Sequence, residues 1–134
     1  MSLETVTVTV PIGQSAIGGT STPDDYYICH GQVGEWRLEA AYFCPADPVP
    51  ASSGNYVSIM LSQGFEGTET DIATAMTTAT VAMALGTVRE FTLSENTSRE
   101  FGPTDVLMVD VDESGSFTDN LEGTVVLRYA KVRV

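Results

Sequence analysis

A chain of 134 residues fits one domain and can bury a core without metal or disulfide staples. Its 18 acidic side chains against 6 basic ones give a net charge of -12, too few cations to neutralise phosphates, so nucleic acid is not an expected partner. No apolar run approaches the ~18 residues of a membrane helix, and Met1-Ser2-Leu3-Glu4 lacks a basic-then-apolar pattern, so neither a membrane span nor a secretory leader is expected.

Taken in chain order, the signals are those of strands. Glu4 to Val10 alternates strictly, with Val6, Val8 and Val10 on one side and threonines on the other, up to Pro11 and Gly13. Residues 13–25 are rich in Gly, Ser, Thr and Pro and read as a loop. Asp25 to His30 is a short aromatic strand. Glu35 to Cys44 is a longer one, with Trp36, Leu38, Ala40, Tyr42 and Cys44 on one parity, stopped by Pro45, Pro48 and Pro50. Asn55 to Gln63 follows a Ser-Gly turn. Residues 70–77 allow either a strand or a helical turn, and strand against helix stays open across 70–85. Thr87 to Ser94, Asp105 to Asp112 and Thr124 to Val134 complete the set. About eight short strands between Gly- and Pro-rich turns predict an all-β, two-sheet sandwich, an eight-stranded jelly roll, as a single domain over residues 1–134. Residues 1–12, ahead of the long loop, could serve as an N-terminal arm or exchanged strand.

Several residues carry possible chemistry. Asp110-Val111-Asp112-Glu113-Ser114-Gly115 matches the opening of a calcium loop, with Asp110, Asp112 and Ser114 as candidate ligands and Gly115 for the turn. The twelfth position is Leu121, with Glu122 one place late, so a solvated acidic hairpin and a weak calcium site both stay open. His30 adjoins Cys29, but neighbours on a strand point to opposite faces and cannot form a dyad, so a structural histidine is expected. Two cysteines and one histidine lack zinc spacing. No phosphate loop or dinucleotide fingerprint is present. Nothing singles out a carboxylate pair for glycoside hydrolysis. The chain is therefore not expected to be an enzyme or to need a cofactor. Cys29 and Cys44, in neighbouring predicted strands, are expected as two buried, reduced thiols.

The aromatic run Tyr26, Tyr27, Trp36, Tyr42 and Phe43 could stack sugars or fill the core. Shared parity places Trp36 and Tyr42 toward the core. Arg128, Lys131 and Arg133 are three of the six basic residues and fall in the last seven positions. They either protect an edge strand or meet an acidic neighbour. With Val6, Val8 and Val10, they are the candidate interface residues. Those valines, with Val126, Val132 and Val134, would leave apolar faces near both termini that threefold packing could cover.

Four segments, in order and spacing, carry a resemblance. They are Ser53-Gly54-Asn55-Tyr56-Val57-Ser58, Gly86-Thr87-Val88-Arg89-Glu90-Phe91-Thr92-Leu93-Ser94, Gly102-Pro103-Thr104-Asp105-Val106-Leu107 and Glu122-Gly123-Thr124-Val125-Val126-Leu127. Across roughly residues 25–130 the chain resembles small β-sandwich virion proteins encoded among tailed-phage head genes. The resemblance implies a capsid decoration, or cement, protein. Such a protein would be made in the host cytoplasm, placed on the outer capsid surface and bound to the major capsid protein as a homotrimer. The chain departs from the family over Asp112 to Leu121, where an acidic loop stands in place of a Gly-rich hairpin. The alternative expectation is a carbohydrate- or receptor-binding domain of a phage tail or fibre.

Overall fold

The computed structural model describes residues 4–15, 25–95, 99–115 and 120–132. Among the described residues there are ten strands: β1 (Thr5–Ser15), β2 (Asp25–Ile28), β3 (Trp36–Pro45), β4 (Tyr56–Gln63), β5 (Thr70–Asp71), β6 (Met76–Thr77), β7 (Arg89–Glu90), β8 (Glu100–Phe101), β9 (Leu107–Ser114) and β10 (Asn120–Lys131). They form two antiparallel sheets. Sheet A has the order β1-β10-β3-β7, with β8 also on β3; sheet B has the order β2-β9-β4-β5, with β6 also on β4.

That order is a jelly roll. β5 and β6 pair with opposite ends of β4, and β7 and β8 with opposite ends of β3, so each couple is one broken strand. Eight positions result, nested as first with last, second with seventh, third with sixth and fourth with fifth. The predicted strands over 70–77 and 87–94 are thus shorter than their alternation implies, and the described part of 70–85 holds no helix.

The two breaks close one side of the sandwich. Ala73 bridges Leu93, Thr74 N–H donates to the Thr92 carbonyl at 2.8 Å, and Ser94 N–H donates to the Ile72 carbonyl at 2.8 Å. Each segment leaves its own sheet edge to satisfy backbone groups of the other.

Alternation puts the core between the sheets. Leu38, Phe43, Leu127 and Tyr129 from sheet A meet Ile59, Leu61, Leu107 and Val109 from sheet B, all fully buried. β3 keeps this face only by a bulge. Leu38 pairs with Tyr129 and Ala40 with Arg128, so Glu39 is an extra residue opposite consecutive partners. Parity flips there. Trp36 and Leu38 point inward before it, Ala41 and Phe43 after it. Tyr42 and Cys44, expected on the inward parity with Trp36, therefore sit half-buried, outside the core cluster.

β1 runs on through Pro11 to Ser15 and does not stop at Pro11 and Gly13. Lys131 N–H donates to the Glu4 carbonyl, so even-numbered residues bond β10 and the backbone of Thr5, Thr7, Thr9 and Pro11 faces away from it. A proline costs nothing where its missing donor points away from the ladder. At Gly123, a Cβ would meet the Cys44 carbonyl and lie 2.6 Å from Phe43 Cζ, so only glycine lets β10 and β3 approach this closely.

Candidate functional site

The acidic candidates lie on β9, not in a loop. Asp110, Asp112 and Ser114 alternate along an extended strand, where residues two apart stand roughly 6.6 Å from one another. Strand geometry spreads their oxygens along the sheet instead of converging them on one ion; residues 116–119 of the proposed loop fall outside the described residues. Among the described residues, no group of three or more His, Cys, Asp and Glu side chains could hold a metal.

What β9 builds instead is a carboxyl cluster. Asp110 is the cross-strand partner of Asp25 on β2 and of Met60 on β4. Burial, the hydrogen bond to Asp25 and the charges of Asp112, Asp25 and Glu66 push its pKa up to about 7. Sequence reading missed Asp25 because β2 and β9 are far apart in the chain.

Next to this cluster lies an aromatic pair. Tyr27 and Phe65 are 45% and 58% exposed, with ring centroids 5.1 Å apart. Met108, the cross-strand partner of Tyr27, is buried, and Ser62, its partner on the other side, donates to Asp71 Oδ1 at 2.8 Å. Of the five aromatics read as a platform or core, only Tyr27 is openly exposed.

The interface candidates separate. Val10 is in the core, and Val6 and Val8 pack against it, so β1's valine face is spent inside the sandwich. The expected free apolar face at the N-terminus is corrected accordingly: residues 5–15 form a full strand on β10. Val126 and Val132 are half-buried. Arg128 and Lys131 are exposed; Arg133 and Val134 lie outside the described residues.

Exposed apolar side chains gather elsewhere, on the β6–β7 connection. Val81, Leu85 and Val88 are 50%, 64% and 54% exposed. The loop that carries them is pinned. Met83 is buried and Val49 and Met83 exchange backbone hydrogen bonds at 2.9 Å. Arg89 Nη1 donates to the Thr77 carbonyl at 3.0 Å and the Val81 carbonyl at 3.4 Å. Nothing in the alternation of residues 79–88 signals this; the signal was three apolar residues in a Gly-containing connection.

His30 is structural. It is buried, Gln32 N–H donates to Nδ1 at 3.0 Å, and Nε2 therefore carries the proton given to the Phe101 carbonyl at 3.0 Å. Its ring packs near Trp36 and edge-on to Tyr129. Burial holds the Tyr129 phenol above its usual range, with Cys29 adding to the effect. Both cysteines are free. Cys29 is exposed and Cys44 half-buried, which corrects their reading as buried hydrophobes. They are not in neighbouring strands either, since Cys29 follows β2 of sheet B and Cys44 lies on β3 of sheet A.

A cavity of about 390 Å³ opens where sheet A's outer strand is broken, lined by Glu39, Glu90, Phe91, Thr92, Leu93 and Arg99. No helix among the described residues is long and apolar enough to cross a membrane. No protein-family model, curated protein or solved structure matches the chain.

Proposed function

We propose that this protein is a capsid decoration protein of a tailed phage, bound as a homotrimer to the major capsid protein on the outer head surface. The observation that carries the reading is the pinned apolar loop. Three exposed apolar side chains, Val81, Leu85 and Val88, are held on a connection that Met83 and Arg89 fix to the sandwich. Exposed apolar groups on a pre-ordered support suit a docking surface, because little ordering entropy remains to be lost on binding. The net charge of -12 supports display on an outer surface, keeps free copies apart and repels nucleic acid. Jelly rolls are used in viral capsid domains, which adds weight by analogy only.

The mechanism is mass action. A protein that binds only the assembled shell stabilises it by its binding free energy at each occupied position. Counting copies per particle in purified virions tests this. A number matching the capsomers supports it, and a handful of copies transfers the protein to the tail.

A second reading, a carbohydrate- or receptor-binding tail domain, is favoured by the exposed Tyr27–Phe65 pair. Aromatic faces beside the exposed carboxylate of Asp71, which accepts from the buried Ser62 hydroxyl, suit a sugar's apolar face and hydroxyl edge.

A further inference from the structure

The cavity at the broken edge of sheet A has a physical origin. β7 pairs with Tyr42 and Phe43, β8 with Trp36 and Arg37, and the chain between them departs to bond residues 72–74. Between those two attachments the edge of β3 carries the bulge residue Glu39. The gap is lined by Glu39 from β3, Glu90 from β7, Arg99 just before β8, and Thr92 and Leu93 from the departing segment.

Arg99 is the anomaly. It is 8% exposed, and its Nε is buried with no hydrogen-bond partner among the described residues. A guanidinium carries five donors and no acceptor, so a buried Nε–H left without a partner is costly. Glu39 and Glu90 line the same cavity, yet among the described residues no ion pair joins Arg99 to either. Donors and acceptors therefore face a common space without meeting.

From this arrangement we infer that the cavity is a saccharide site, in which Arg99 donates to the hydroxyl oxygens of an uncharged sugar ring while Glu39 and Glu90 accept from its hydroxyl hydrogens. Vicinal hydroxyls both donate and accept, so one ring satisfies all three side chains. Two carboxylates against one guanidinium repel phosphate, sulfate and other anions, as does the chain's net charge. A neutral polyol brings no charge that must be desolvated. Half-buried Leu93 offers apolar contact to the ring, and about 390 Å³ lies in the range of small-molecule sites. The site is independent of the shell-binding reading and of the Tyr27–Phe65 pair on the other sheet.

Saturation-transfer NMR and calorimetry on the intact protein test it, with glucose, galactose, mannose and N-acetylglucosamine as probes beside sodium sulfate and glycine. At least one sugar should bind at millimolar strength, and sulfate and glycine should not. R99Q and E90Q should each weaken the sugar about tenfold or more, as losing a charged hydrogen bond does. Arg99→Lys should not rescue binding, because the planar fork is lost. If R99Q fails to fold, exposed Glu90 still carries the test, with an unchanged amide spectrum as control. Three results overturn the site: no sugar binds; sulfate or glycine binds in place of sugar; or binding survives both R99Q and E90Q but is lost in Tyr27→Ala. Shell occupancy is a separate measurement, and none of these results alters it.

Discussion

Asp25 and Asp110 oppose each other across the β2–β9 ladder with their carboxyl groups hydrogen-bonded, and Asp110 stays protonated up to about pH 7. An ordinary aspartate titrates near 3.8, so between roughly pH 4 and 7 the unfolded chain releases a proton that the folded chain keeps. A raised folded-state value means the contribution is intact at low pH and lost as pH rises through that window. Asn at this position never ionises. D110N should therefore be more stable than the parent at pH 8, by on the order of 1 kcal/mol after allowing for solvent screening, and little changed near pH 4. Thermal melts at both pH values compare the two proteins. A constant difference in Tm across the range would show that Asp110 titrates normally.

The same strand geometry gives a prediction for calcium. Asp110, Asp112 and Ser114 stand along β9, and the proton on Asp110 must leave before that oxygen can bind a cation. Millimolar calcium or EDTA should leave the Tm unchanged at neutral pH, in the parent and in the double variant D110A/D112A. A calcium-dependent rise in Tm that the double variant abolishes is the contrary result.

The jelly roll was legible because period-two alternation survives in the long strands β1, β4, β9 and β10. What was not legible traces to single residues. Glu39 shifts the phase of β3, so a parity count that starts correctly at Trp36 misplaces Tyr42 and Cys44. Pro11 reads as a stop only if β1 is taken as an inner strand. The Asp25–Asp110 pair and the Arg99 cavity depend on long-range register, which no local pattern encodes. The calcium motif matched by residue type, but its spacing was designed for a turn and here lies on a strand.

The bulge itself can be tested. Deleting Glu39 would restore continuous pairing and turn either Trp36 and Leu38 or Ala41 and Phe43 out of the core. Losing two such buried side chains costs about as much as a small domain's whole stability, so the deletion variant should be unfolded. Glu39→Ala keeps the extra residue and should stay within about 0.5 kcal/mol of the parent. Circular dichroism of both proteins decides, and a folded deletion variant would mean that β3 tolerates either register.

The thiols should differ in rate. Exposed Cys29 should alkylate quickly and half-buried Cys44 slowly, with no 29–44 disulfide in protein alkylated at cell lysis. Timed iodoacetamide labelling followed by peptide mass spectrometry reads both rates. Equal rates would contradict the difference in exposure, and a bridged peptide would contradict the separation of Cys29, beyond β2, from Cys44 on β3.

The β6–β7 connection, with its three exposed apolar side chains, separates stability from binding. Val81, Leu85 and Val88 contribute little to the core, because more than half of Leu85 and Val88 and half of Val81 remain in solvent. Leu85→Asp with Val88→Asp should therefore leave the Tm nearly unchanged, as exposed substitutions do. If the loop is the shell contact, the same variant must place two carboxylates in an apolar interface, and occupancy on shells lacking the protein should fall at least tenfold. Val6→Asp is the informative control. That side chain packs against the core, so its substitution should lower the Tm and affect binding only through folding. Arg128→Glu probes the exposed basic strand end, where a reversed charge should slow association and sharpen its salt dependence if an acidic neighbour faces it. Full occupancy by the Leu85, Val88 double variant, with its fold intact, would remove the loop from the interface and leave the Tyr27–Phe65 face as the next surface to examine.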